Sequence, residues 1–203
     1  MASLASGNGT MAVVVLVLIF TIISSFPAAV VADANFIAQV CKNIEMANGH
    51  CVEVLSTDRR SFNATTTRDL ASISLDIAIS TRRGVAKGID DEASKHDERS
   101  PLGEALVDCA NYYGQAEQPL DDARESFDKG EYREAMDRAA EAEDAGDQCE
   151  QAFSDRELTS RVAALDERMK QRCDVAADLM DLLFVTVKSR RFLRDVILLS
   201  HPV

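Results

Sequence analysis

The sequence predicts an all-α protein, four long helices packed antiparallel and preceded by a shorter helical region. Three observations carry this expectation. Nine Gly and four Pro in 203 residues are too few turn formers for a loop-rich sandwich or barrel. Apolar residues recur in alternating steps of three and four along most of the chain, the spacing of an inward helical seam. Short polar connections separate these stretches, as they do between antiparallel neighbours.

The first 32 residues contain no Asp, Glu, Lys or Arg. Within them Met11 to Ile23 form an apolar run of 13 residues, about 20 Å as a helix and short of the roughly 30 Å hydrocarbon core. Ser24, Ser25 and Pro27 follow, and Val30-Val31-Ala32 places small residues where a signal peptidase reads, with cleavage after Ala32. The run lacks the usual basic n-region. We read residues 1–32 as a secretory signal, residues 33–187 as the folded domain and residues 188–203 as a basic-apolar tail. After cleavage no membrane segment is expected.

A helical region is expected from about Phe36 to Leu55. From Thr67 to about Ile89, Ile73-Ser74-Leu75-Asp76-Ile77-Ala78-Ile79 alternates like a strand, yet Leu70, Ile73, Ile77 and Ala78 also make a helical stripe. A lone strand among long helices would have nothing to pair with, so this stretch is predicted to be helix. Next come Leu102, Leu106, Cys109, Tyr113, Ala116, Leu120, Ala123 and Phe127, with Pro119 expected to kink the element. After Gly130, Tyr132, Met136, Ala139, Gly146, Cys149 and Phe153 share one side. A last helix follows the Thr159-Ser160 capping region, with Val162, Leu165, Met169, Cys173, Ala176, Met180 and Leu183 inward.

Charge and chemistry narrow the function. Thirty-four acids against 22 bases, a net charge of −12, argue against a nucleic-acid partner, since phosphates would meet like charge. The sequence contains no GxSxG, HExxH, GxGxxG or Walker motif. His50, His96 and His201 are scattered and no CxxC occurs, so neither a metal nor a cofactor is expected. Pairs such as Asp121-Asp122 and Glu143-Asp144 read as solvated helix face, not as catalytic carboxylates.

Secretion gives the five cysteines an oxidising context. Asp128-Lys129-Gly130 is a short helix–helix turn, and Cys109 and Cys149 stand 20 positions either side of Lys129. In an antiparallel hairpin such residues lie at one height, and both are on inward stripes, so a Cys109–Cys149 disulfide is expected. Cys41 and Cys51 flank the turn signal Asn48-Gly49 and close a local loop. Cys173 is left as a buried free thiol.

These features together resemble the plant invertase and pectin methylesterase inhibitor family. The matching stretches are Cys41-Lys42-Asn43 through Cys51; Asp69-Leu70 leading into the Ile-rich helix; Ala105 through Cys109 with Tyr113; and Ala139-Ala140-Glu141-Ala142 through Gln148-Cys149-Glu150 with Phe153. The resemblance covers nearly all of residues 36–184. It departs at Arg138-Ala139-Ala140, where Ser-Ala-Ala is usual. It implies an antiparallel four-helix bundle preceded by an N-terminal helical hairpin, each carrying a disulfide. It also implies a secreted, non-enzymatic inhibitor that occludes the cleft of a cell-wall carbohydrate enzyme.

Two targets share that scaffold. Invertase inhibitors often present Pro-Lys-Phe, which is absent here, so pectin methylesterase is the favoured partner and invertase the alternative. The location expected is the apoplast, or the vacuole for a vacuolar invertase. A secreted lipid carrier is the alternative of another class, opposed by the bulky inward residues that fill the interior. Residues 117–150 hold thirteen acids against four bases, hence −9. Glu141, Glu143 and Asp144 are candidates to steer this hairpin onto a basic enzyme. Asn63-Ala64-Thr65 is a candidate glycosylation sequon.

Overall fold

The computed structural model describes residues 28–44 and 49–199. It is a helical bundle, without strands among the described residues. Helix α1 (Ala28–Cys41) and the short α2 (Cys51–Ser56) precede a 3-10 turn at Arg59–Asn63. The bundle follows as α3 (Thr67–Ala93), α4 (Pro101–Gln115), α5 (Glu117–Lys129), α6 (Tyr132–Ser154) and α7 (Ala163–Leu199). The expected signal segment lies outside the described residues up to position 27, and α1 runs through Ala32.

The N-terminal pair is held by the Cys41–Cys51 disulfide. Its buried residues, Ile37 and Val40 on α1 and Val54 and Leu55 on α2, join the main core. Helix α3 opens with a reciprocal cap. Thr66 Oγ1 accepts from the Asp69 amide at 3.1 Å, and Asp69 Oδ2 accepts from the Thr66 amide at 2.9 Å. The Ile73–Ile79 stretch is helical, as expected. Its serine at 74 donates back to the Ala71 carbonyl at 2.8 Å, so a polar residue is buried without leaving its hydroxyl unpaired.

Helix α4 starts at Ser100, which caps the Gly103 amide at 3.0 Å, with Pro101 at the first turn. Gly103 is required there: a Cβ would lie 2.1 Å from the Asp97 carbonyl oxygen. The expected kink is a full break at Ala116, three residues before Pro119. The Pro119 ring excludes the Gln115 carbonyl as a partner, so α4 ends at Gln115 and Pro119 falls in the first turn of α5, where its missing donor costs little.

Gly130 ends α5 in the left-handed region at φ +79°. The Glu131 amide donates to Ser126 O and the Gly130 amide to Phe127 O, both at 2.9 Å, closing a Schellman turn. Helix α6 then returns antiparallel. Its inward side is nearly all small: Ala135, Ala139, Ala142, Ala145, Gly146, Cys149 and Ala152 are buried, and Phe153 ends the row. Opposite it, Cys109 bonds to Cys149 with the Cα atoms 4.5 Å apart.

Helix α7 packs against α3 and α6 and buries Met169, Cys173, Val175, Ala176, Leu179 and Met180. It carries no Gly or Pro from Ala163 to Leu199. It therefore continues without a break through residue 187, and the basic segment extends the longest helix. Tyr113, Phe127, Phe153, Leu70, Leu75, Leu106 and Leu120 fill the interior. Polar ties cross the seams: Arg124 reaches Asp76 and Ser72 O, and Arg82 pairs with Glu117 at 3.0 Å.

Candidate functional site

The acidic hairpin α5–α6 divides into two faces. Glu141 and Asp144 are exposed and border a shallow recess of about 240 Å³ with Tyr112, Gln115, Pro119 and Gln148. Glu141 is partly neutralised by Arg138 at 2.9 Å, whereas Asp144 is in no ion pair among the described residues. This recess lies beside the α4–α5 break, so the turn at Ala116 shapes it.

Glu143 is elsewhere. It is half-buried and forms an ion pair with Lys170 of α7. Burial raises its pKa from the ordinary carboxylate value, with the lysine acting in the opposite direction. The structure thus brings Glu141 and Asp144 together and removes Glu143 from the outward face. A residue one position from an exposed acid sits about 100° around the helix, and here that rotation points it at α7.

The same inner face holds a buried polar cluster. Tyr113 Oη of α4 donates to Asp166 Oδ1 in the first turn of α7 at 2.7 Å. Asp166 is only 4% exposed. Its Oδ2 and Glu150 Oε1 are both buried without a partner between ionised carboxylates. One proton between these two groups satisfies both oxygens. Burial, and then the neighbouring Glu150, push the Asp166 pKa up to about 8, and its presence helps push the Tyr113 phenol above its ordinary value, after burial itself. Cys149 Sγ lies in the same group, within 4.8 Å, but is committed to the disulfide and offers no thiolate. The arrangement ties α4, α6 and α7 together. The periodicity held a signal for it: position 166 is four after Val162 and three before Met169, an inward site occupied by an acid.

Cys173 is wholly buried and free. Burial pushes its thiol well above the ordinary value, which suits packing and not nucleophilic chemistry. Asn63 is exposed at the end of the 3-10 turn, ahead of the α3 cap.

A family model described as plant invertase/pectin methylesterase inhibitor matches residues 35–179. Among solved structures, the chain is similar to a pectin methylesterase inhibitor from Arabidopsis thaliana, with a TM-score of 0.53 and 21% identity over 66% of this chain and 86% of that one. It is also similar to mutant form A of a pectin methylesterase inhibitor from Arabidopsis, with a TM-score of 0.60 and 18% identity over 71% and 95% of the two chains. At these identities the structural likeness is one of fold. No curated protein matches.

Proposed function

The chain belongs to the plant invertase/pectin methylesterase inhibitor family, and from that premise we propose that it inhibits a cell-wall pectin methylesterase by stoichiometric occlusion of the active-site cleft. The observation that carries this reading is the extent of the family match. Residues 35–179 span both disulfides and the buried core from Ile37 to Leu179. An occluding inhibitor needs a rigid surface, because ordering it on binding would subtract from affinity. The covalent ties across α1–α2 and α4–α6 support that rigidity.

The esterase is favoured over invertase by charge. A cleft adapted to a polyanionic substrate has reason to attract carboxylates, and residues 117–150 carry a net −9, thirteen acids against four bases. The steering group is now Glu141 and Asp144, on the open rim, without Glu143. The reading includes secretion to the apoplast after cleavage near Ala32, and a glycan on the exposed Asn63. An N-glycosidase mass shift of the secreted protein, lost in Asn63→Gln, checks the glycan.

The deciding experiment titrates the refolded mature chain against purified pectin methylesterase and invertase in parallel. A 1:1 endpoint with the esterase is the expected result. Inhibition of invertase alone, or of neither enzyme, overturns the proposal.

A further inference from the structure

The far end of the bundle has the opposite character from the acidic rim. Arg133, in the first turn of α6, lies over the Phe184 ring of α7, 5.5 Å from its centroid. Lys188 lies over the same ring at 5.9 Å. Arg191 follows one turn after Lys188, and the three cations line an open groove of about 890 Å³ together with Tyr132, Phe184 and Val187. Among the described residues, none of the three forms an ion pair, although the chain carries 34 acids against 22 bases. The groove's own acids do not serve them: Glu134 is turned to Arg138 at 2.9 Å, and Glu131 makes no ion pair among the described residues.

Two unpaired cations over one aromatic ring, with a third lining the same groove, repel each other, and an anion with several negative groups relieves that repulsion. The shape says which kind. A flat anionic surface such as a membrane would also press on the acids of the α5–α6 hairpin, which begins its turn at this end. A chain one sugar wide meets only the groove. Its ring faces suit the apolar walls of Tyr132, Phe184 and Val187, and its carboxylates suit the cations.

We infer that this groove binds acidic polysaccharide, a polymer of uronate sugars with free carboxylates. The choice of uronate rests on the proposed function, which places the protein beside pectin. The carboxylated polymer is the product of the enzyme it would inhibit, so the groove would hold the inhibitor where esters have already been removed. Neutral, fully esterified pectin lacks the charges the groove needs.

The test uses the mature chain on immobilised polygalacturonate at low salt. Fully methyl-esterified pectin, polyglutamate and vesicles of phosphatidylcholine with phosphatidylserine serve as comparisons. Retention on polygalacturonate is expected, and it should weaken by about tenfold or more in the triple variant Arg133→Gln/Lys188→Gln/Arg191→Gln. The variant Lys87→Gln/Lys95→Gln, whose cations sit on exposed α3 and its C-terminal turn, should be retained like the parent. Helical circular dichroism establishes that each variant folds. No retention of the parent, equal retention of the triple variant, or equal binding to polyglutamate or vesicles overturns the inference. Enzyme inhibition is measured separately on the same proteins. A parent that inhibits without binding polymer sinks this inference alone, and one that binds polymer without inhibiting sinks only the proposed function.

Discussion

Replacing Asp166 with Asn should flatten the dependence of stability on pH. The Asp166 carboxyl keeps its proton in the folded chain up to about pH 8, far above the ordinary aspartate value of about 4. The unfolded chain releases that proton at the lower value. Stability from this group is therefore fully present below about pH 4 and is lost as pH rises towards 8, because between those values the folded state binds the extra proton. The slope is about 1.4 kcal/mol per pH unit while one proton separates the states. From about pH 5 to pH 7.5 the parent should lose about 3 kcal/mol through Asp166 alone.

An amide at position 166 has the shape of the protonated acid. Its oxygen can accept from Tyr113 and its nitrogen can donate to Glu150, at every pH in this range. Asp166→Asn should thus match the parent within about 1 kcal/mol near pH 5 and exceed it near pH 7.5. For a chain of this size the gap at pH 7.5 corresponds to about 6–12 °C in Tm. Thermal unfolding by circular dichroism, with disulfides intact, reads the difference between the two proteins and cancels the surface carboxylates they share. Parallel pH profiles for parent and variant would refute the shared-proton account of the Tyr113–Asp166–Glu150 cluster.

Four further expectations follow from the packing and the charge. Gly103→Ala should destabilise by about 1–3 kcal/mol in urea unfolding, because the new Cβ meets the Asp97 backbone at 2.1 Å; an unchanged midpoint would mean the turn before α4 yields freely. Cys149→Ser should cost about 2–4 kcal/mol by opening a ring of 40 residues, while Cys173 should react with Ellman's reagent only after denaturation, and prompt labelling of the native protein would show that α7 opens. Glu141→Gln/Asp144→Asn should slow association with a basic pectin methylesterase at low salt and lose that effect near 1 M salt, where the Debye length is about 3 Å. Equal stopped-flow rates for parent and variant would leave the acidic rim without a steering role.

The helices were legible because their inward stripes are regular and because the turn at Asp128-Lys129-Gly130 has one meaning; the caps at Thr66 and Ser100 came to light only in the structure. The height match of Cys109 and Cys149 was legible because a two-helix hairpin has a single symmetry point, its turn. Periodicity fails where rotation must be known to better than one residue. Glu143 looked equivalent to Glu141 and Asp144 until α7 was in place beside it. The break at Ala116 was missed by three residues because proline acts on the carbonyl four positions before it. Asp166 was passed over because an acid in a helix's first turn is ordinary, and only the arrival of Glu150 and Tyr113 makes it unusual. The groove at Phe184 joins residues some 50 apart and was invisible for that reason.

The alanine row on α6 has a consequence for how the chain finds its native register. Small side chains let α6 lie close to α4, yet a ladder of nearly identical rungs scarcely distinguishes one height from the next. A slide of one turn, about 5.4 Å, would set another alanine into almost the same notch, with little lost until Phe153 missed its seat. The Cys109–Cys149 bond forbids such a slide, acting as an index pin between two smooth surfaces. Without it, α6 should sample neighbouring registers while remaining helical, so that far-ultraviolet spectra look native and sharp side-chain signals broaden.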